Sequence, residues 1–223
     1  MEIFSDLPKF SQIEEVLPEK IEQKSFDIIR AELFERGISL DEKTQSVVIR
    51  AIHATADFDF AQNIRFSPFA FETAIDLLRS SCKIVTDTKM AFSGISQSAC
   101  EKLGVKKACF VSDSDVAECA SRFGVTRSSV CVDKAAQIFA GEKTIYVVGN
   151  APTALVRLRQ LFDAKIFRPA LVVACPVGFV NVVHAKNLIL ESELKSIVCV
   201  GRKGGSTVAS AIVNALLYEA GGR

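Results

Sequence analysis

Five short runs of β-branched and other apolar residues alternate with helical stretches from residue 83 onward. The runs read KIVTD, KACFVSD, KTIYVVG, ALVVACPV and SIVCVGR. Because they are apolar along most of their length rather than at alternate positions, both faces of each strand are predicted to be buried. Such strands form parallel sheets that helices cover on both faces. The alternation therefore predicts a three-layer α/β sandwich with a mainly parallel sheet of about five strands.

Helical patterns fill the intervals between these runs. The predicted helices read SQSACEKL, DVAECASRF, TRSSVCVDKAAQIF, PTALVRLRQLF and STVASAIVNALLYEA. Thr126 begins the third of them and Pro152 begins the fourth, and both residue types favour a helix start.

Further helices are predicted ahead of the sheet. One runs from about Pro18 to Arg36 and is ended by Gly37. A second begins at Ser39, where S-x-x-E has the form of a capping box, and runs to about Thr55. A third begins at Ser67 and Pro68.

The length and charge favour a single cytoplasmic domain. The 223 residues are 49% hydrophobic, and Lys+Arg number 27 against 26 Asp+Glu with no block of like charge. We therefore expect one domain over residues 1–223, with residues 1 to about 18 as an N-terminal extension, and no nucleic-acid partner. No apolar run is long enough to span a membrane, and MEIFSDLPKF lacks the pattern of a signal peptide.

Cysteine and histidine spacing argues against a metal site. The seven cysteines form no C-x-x-C pair, most lie in apolar runs, and the two histidines are far apart. We expect reduced, buried cysteines, no metal held by the protein and no cofactor.

Ligands of an open parallel sheet bind at the carboxyl ends of its strands. Two loops predicted to lie there, GNAPTA and GRKGGS, pass into helices. GRKGGS lacks the Walker A pattern, but Arg202, Lys203 and the backbone N–H groups that follow suit an anion. A tight turn explains the same residues. In GNAPTA, Asn150 is a candidate helix cap, and this structural interpretation competes with a binding role.

Two basic residues stand out by their positions on predicted helices. Arg127 lies in the first turn of a helix, where the helix dipole disfavours a cation. This position slightly favours an anionic partner for Arg127, although an ordinary surface arginine is the alternative. His53 lies in a last turn, three residues after Arg50 and four before Asp57. The helix end and the Asp57 carboxylate favour the imidazolium form, which suits a general acid, although an ordinary surface or core histidine fits too. His184 is interpreted as structural.

Eight motifs together resemble the precorrin-8X methylmutase family, also called cobalt-precorrin-8 methylmutase. They are SFDIIRAE, IHATADFDFA, RFSP, VTDTKM, TRSS, GNAPTAL, RPALVVACPVGFV and GRKGGSTVASAIVNALL. They occur in the family's order and spacing, and the likeness extends over nearly the whole chain from about residue 20.

The resemblance implies an isomerase of cobalamin biosynthesis. The family moves a methyl group between adjacent carbons of ring C by a 1,5-sigmatropic shift, which gives cobyrinate or, without cobalt, hydrogenobyrinate. It also implies a flavodoxin-like fold, a homodimer with the active site near the subunit interface, and a corrinoid substrate whose product stays tightly bound. Whether the substrate carries cobalt is left open.

The resemblance also assigns roles to residues. A sigmatropic shift needs no nucleophile or redox cofactor, only a proton placed to select the reactive tautomer, and the family's proton donor falls on His53. Substrate-binding positions match Ser25 and Arg50, and Arg127 is a further candidate ligand for the substrate's carboxylates. One departure is His184, which stands where many relatives have an acid.

Two other functions compete with this interpretation. A corrinoid carrier would bind the same ligand without turnover. A flavodoxin-like domain could instead bind a mononucleotide at GNAPTA and GRKGGS, although the phosphate-loop pattern is absent.

Overall fold

The computed structural model describes residues 12–222, in which six strands and eleven helices alternate. The strands are β1 (Ile64–Phe66), β2 (Lys83–Thr86), β3 (Lys106–Ala108), β4 (Thr144–Val148), β5 (Leu171–Ala174) and β6 (Ser196–Cys199). The helices are α1 (Pro18–Glu35), α2 (Gln45–His53), α3 (Phe60–Asn63), α4 (Ala70–Arg79), α5 (Lys89–Gly94), α6 (Gln97–Lys102), α7 (Ser114–Phe123), α8 (Arg127–Ile138), α9 (Pro152–Asp163), α10 (Val182–Leu190) and α11 (Ser206–Ala220).

All strands of this part of the chain belong to one sheet, in the order β1-β6-β5-β4-β2-β3. The five strands predicted from sequence, β2 to β6, pair in parallel, which confirms a mainly parallel sheet. Counted along the chain, these five lie in the order 2-1-3-4-5. The sixth strand, β1, was not predicted; it is three residues long and pairs antiparallel with β6 at the edge.

Helices cover both faces of the sheet, as the apolar runs predicted. Ile145 and Val147 of β4 pack in a core that includes side chains of α1, α2, α4 and α11. Tyr146 and Val148, which point to the other face, pack with α8, α9 and α10. Every residue of β4 is buried, because a strand between two helical layers has no face left for water.

The N-terminal helices begin later than two of the sequence signals indicated. The α1 boundaries match the prediction, with Gly37 at φ +66° just beyond its end. The prediction that α2 starts at Ser39 is wrong, because the Asp41 carboxylate accepts the N–H groups of Lys43 and Thr44 and holds a turn there. The helix starts at Gln45 instead, and its end at His53 agrees with the prediction.

The start predicted for α4 at Ser67 is also wrong. The Ser67 hydroxyl accepts the N–H of Ser196 at 2.8 Å, so it caps the sheet edge rather than the helix. The helix begins at Ala70 after Phe69, which has a left-handed conformation.

Residues 1–11 lie outside the described residues, and with them most of the predicted N-terminal extension. Residues 12–17 precede α1, and Glu14 forms an ion pair with Lys24 of that helix. No helix in residues 12–222 is long and apolar enough to cross a membrane. All seven cysteines are free thiols, and six of them are buried.

Candidate functional site

His53 ends α2 and lies on the protein surface. The opposite side of α2 is anchored by buried apolar residues, among them Ile49 and Ile52, which fixes the direction of the helix. The exposed imidazole meets the edge of the Phe26 ring from α1, with 5.2 Å between ring centroids and an interplanar angle of 86°. Helix α1 thus orients the ring while water, or a ligand, can reach it.

Arg50 lies one turn before His53 and is held from three sides. Its Nη1 donates to a carboxylate oxygen of Glu22 at 2.9 Å. Its guanidinium carbon lies 5.1 Å from the centroid of Phe26 and 4.7 Å from that of Tyr218. The side chain is 17% exposed. Two aromatic faces and one carboxylate therefore hold the cation in a fixed orientation with a narrow opening to solvent.

Ser25 precedes Phe26 on α1, and adjacent residues of a helix do not face each other. Its hydroxyl donates to the Ile21 carbonyl at 2.9 Å, and the oxygen retains lone pairs that can accept a hydrogen bond. The structure thus brings the predicted residues Arg50 and His53 to the Phe26 ring, and it places Ser25 on the neighbouring helix.

Three members of this cluster were missed at the sequence level: Glu22, Phe26 and Tyr218. Phe26 had a signal, because with Ile29 and Leu33 it follows the helical spacing of the inner face of α1. Tyr218 lies at the far end of the chain on α11, and only tertiary packing brings it to Arg50.

The segment that follows His53 is tied to the GRKGGS loop. Lys203 Nζ lies 2.6 Å from a carboxylate oxygen of both Asp57 and Asp59. The hydrogen bond from Lys203 lowers the pKa of Asp57, and the hydrogen bond to Asp57 raises the pKa of Lys203. Asp57 therefore pairs with Lys203, not with His53 as the sequence spacing had indicated.

The GRKGGS and CPVGFV loops touch backbone to backbone at the carboxyl edge of the sheet. Gly205 N donates to the Cys175 carbonyl at 2.7 Å, and Gly178 N donates to the Arg202 carbonyl at 3.2 Å. A Cβ atom at Gly204 would lie 2.3 Å from the Cys175 oxygen, so only glycine fits there. Because the Lys203 side chain is paired with carboxylates of the protein, the GRKGGS loop is better explained as a tight turn than as an anion-binding site. Arg202 remains exposed, 5.4 Å from the Phe179 ring.

A buried carboxylate holds the GNAPTA loop. Asp87, just after β2, accepts the N–H groups of Gly149, Asn150 and Ala151 at 2.8–2.9 Å. Burial raises the pKa of Asp87, while these three N–H donors act in the opposite direction. Asn150 does not cap α9, whose N-cap is Ala151, whereas Pro152 is the first helical residue as predicted.

Arg127 and His184 lie apart from the His53 cluster. Arg127 is the exposed first residue of α8, which packs with α7 and α9 on the other face of the sheet from α2. His184 is exposed on α10, a helix the sequence had not indicated. In residues 12–222 no group of three or more His, Cys, Asp or Glu is placed to hold a metal ion.

Comparison with known proteins gives one consistent family. The family profile described as Precorrin-8X methylmutase matches residues 20–219. The chain is 41% identical to the cobalt-precorrin-8 methylmutase of Leptospira interrogans, over 90% of this chain and 93% of that protein. It is also 41% identical to the protein of the same name from Salmonella typhimurium, over 91% and 95%. The solved precorrin-8X methylmutase structure from Thermus thermophilus superimposes with a TM-score of 0.82 at 34% identity, covering 91% of this chain and 98% of that one.

Proposed function

Because this chain belongs to the precorrin-8X methylmutase family and is an isomerase of cobalamin biosynthesis, we propose that it converts cobalt-precorrin-8 to cobyrinate. Two relatives at 41% identity carry the cobalt form in their names, which supports the cobalt substrate over the metal-free one. The reaction is intramolecular: one bond from the methyl carbon to ring C breaks as a bond to the adjacent ring carbon forms.

We propose His53 as the general acid. The observation that carries this role is the exposed imidazole at the end of α2, oriented by Phe26 and one turn from Arg50. The imidazolium would donate a proton to the conjugated macrocycle and so select the tautomer from which the methyl group migrates. After the migration, the macrocycle would return the proton to the imidazole nitrogen of His53. No covalent intermediate is needed, so a single acid in a fixed place suffices.

Substrate carboxylates are the proposed ligands of Ser25, Arg50 and Arg127. The hydrogen bond to Glu22 uses one N–H of Arg50, and a guanidinium carries four more. A planar guanidinium binds a carboxylate in two places, which suits the acetate and propionate groups of a corrinoid. The Ser25 hydroxyl would bind a substrate carboxylate by turning its single O–H away from the Ile21 carbonyl and toward the ligand.

A homodimer is proposed on the exposed face of α1. Leu17, Ile21 and Ile28 recur at helical spacing and are 57%, 51% and 52% exposed. Apolar side chains in one stripe favour a protein interface.

We propose sedimentation velocity as the test of this dimer. The double change Ile21→Asp and Ile28→Asp should yield a monomer, whereas Ile166→Asp, at a residue 66% exposed on another surface, should not. A dimer that survives the double change contradicts the proposed interface.

We further propose that the fold is a flavodoxin-like variant in one domain over residues 1–223. The order 2-1-3-4-5 of the parallel strands supports the flavodoxin-like assignment, with β1 as an added edge strand. One sheet with a core on each face supports a single domain.

The activity is tested by mixing the purified protein with cobalt-precorrin-8, and separately with precorrin-8X, while the visible spectrum is recorded. We expect conversion of the cobalt substrate to cobyrinate, identified by mass and chromatography, and slower conversion of the metal-free one. Faster conversion of precorrin-8X would assign the metal-free branch. Tight binding of both without any spectral conversion would contradict the isomerase and indicate a carrier.

A further inference from the structure

Lys186 is a fully buried lysine in a helix of the layer opposite His53. Its relative exposure is 0%, and it lies on α10 next to the core residue Ala185. Its Nζ donates to the carbonyls of Gly201 and Lys203, each at 2.8 Å. Burial lowers the pKa of Lys186, and both the charged and the neutral amine have enough N–H groups for two carbonyls. A lysine without an ion pair is costly to bury, so its hydrogen bonds to this loop call for an explanation.

The loop that Lys186 holds connects the two helical layers. Its backbone at Lys203 is bound from the α10 side, while the Lys203 side chain extends to Asp57 and Asp59 on the α2 side. Asp57 follows His53 by four residues. Lys186 is thus hydrogen-bonded to the backbone of Lys203, and the side chain of the same Lys203 is hydrogen-bonded to the segment that continues the proposed catalytic helix.

We propose that Lys186 is a positioning residue for the methyl shift, which fixes residues 54–59 and thereby His53 through the backbone and side chain of Lys203. It touches no substrate in this account. The expected effect of Lys186 on turnover rests on the proposed function of His53. The expected effect of Lys186 on the mobility of residues 54–59 is independent of that function.

The chain contains a matched control at the far edge of the sheet. Lys107 on β3 also donates to two backbone carbonyls, those of Phe92 at 3.0 Å and Ile95 at 2.7 Å. These bonds hold the end of α5, and β3 is separated from β6 by three strands. Lys107→Met therefore removes the same chemistry at two carbonyls that do not belong to the loop containing Lys203.

The first measurement is hydrogen exchange of the free enzyme, followed by mass spectrometry. In Lys186→Met we expect amides in residues 54–59 and 200–205 to exchange at least about tenfold faster than in the wild type. In Lys107→Met, acceleration should be confined to the region of α5. Unchanged exchange in residues 54–59 of a folded Lys186→Met variant overturns the proposal.

The second measurement is turnover. We expect Lys186→Met to lower kcat about tenfold with little change in KM, and Lys107→Met to leave both within about twofold. Lys203→Met should act like Lys186→Met, and the double variant should be no slower than Lys186→Met alone, because both residues act through one connection. Additive losses would show that Lys186 does not act through Lys203 and would contradict the proposal.

Two further outcomes keep the claims separate. Lys186→Met could show faster exchange in residues 54–59 while His53→Ala keeps wild-type turnover. That result would retain the contacts between Lys186, Lys203 and residues 54–59 but would refute the proposed role of His53 as the general acid. If Lys186→Met does not fold, Lys186→Gln, which keeps a shorter polar group, receives the same measurements. Wild-type exchange and wild-type kcat in that variant would overturn the proposal.

Discussion

The polar groups at the carboxyl edge of the sheet are buried, whereas those on the α1–α2 surface are exposed or partly exposed. At the edge, Asp87 and Lys186 are fully buried, and each is bound to backbone groups of a loop. On the α1–α2 surface, His53 is exposed, and Ser25 and Arg50 are partly so. Buried polar groups satisfied by the backbone make rigid loops, whereas exposed ones are available to a ligand. We infer that the edge supports the site and the α1–α2 surface carries the chemistry.

Gly204→Ala should give the largest effect, and it should act on the fold. The added Cβ would lie 2.3 Å from the Cys175 oxygen, and a backbone atom cannot move away as a flexible side chain can. We expect a loss of about 3 kcal/mol or more in the free energy of unfolding, measured in urea. Gly124→Ala, where no atom lies within 4 Å of the added Cβ, serves as a control for the backbone strain of positive φ alone. Equal losses in the two variants would remove the close contact from the explanation.

Asp87→Asn should also damage the fold. An amide has the same shape, but its NH₂ would face at least one of three N–H donors, so a buried bond is replaced by repulsion. We expect a loss of about 2 kcal/mol in unfolding free energy. Asp163→Asn, at an exposed carboxylate bound to Arg159, should change it by less than about 0.5 kcal/mol. A stable Asp87→Asn variant would contradict the explanation that these three N–H groups need two acceptor oxygens.

Arg50→Lys should weaken substrate binding and leave the fold unchanged. Lysine keeps the charge but loses the planar group that lies against Phe26 and Tyr218 and can bind a carboxylate in two places. We expect KM to rise about tenfold with kcat within about threefold. Arg157→Lys, which alters a similar pair between Arg157 on α9 and Asp133 on α8, should leave both constants unchanged. An unchanged KM in Arg50→Lys would remove Arg50 from the substrate site.

The smallest expected effect is a pH dependence of the connection between the two regions. Asp57 has a lowered pKa through its hydrogen bond to Lys203, so its contribution is present above the unfolded-state value of about 4 and is lost as pH falls through the folded value. The pKa of Lys203 is raised, so its contribution disappears only as pH rises above about 10.4. The stabilities of the wild type and Lys203→Met in urea should therefore differ at pH 7, and the difference should shrink steadily as pH falls below about 4 and through the folded value of Asp57. A difference that does not shrink as the pH is lowered through this range would contradict this ion pair.

The sequence predicted the layers of the fold better than the contacts of the site. The five parallel strands and the ends of α1 and α2 follow from local patterns, namely apolar runs and Gly37. The start of α2 did not follow from the local pattern, because the Asp41 side chain binds a backbone N–H group close to the predicted capping box and holds a turn there. Lys186 gave no local signal of burial, because its bonds are to a loop that follows the next strand.

The roles proposed for His53, Arg50 and Ser25 stay predictions, but the contacts around two of them are known. His53 and Arg50 both contact the ring of Phe26, which the sequence analysis did not single out. The pairing of Asp57 with Lys203 joins segments far apart in sequence, and helical spacing alone suggested His53 as the partner. Local spacing describes one helix, whereas a site assembled from α1, α2 and α11 depends on how they pack.

The most direct test of the account is the single-turnover rate of cobalt-precorrin-8 conversion in His53→Ala and in His184→Ala. The two variants each remove one of the protein's two histidines, and both side chains are exposed, so neither should alter the fold. We predict that His53→Ala binds the substrate but converts it at least about a hundredfold more slowly, while His184→Ala stays within about twofold of the wild type. A wild-type rate in His53→Ala would show that the proton comes from another group and would contradict the central claim.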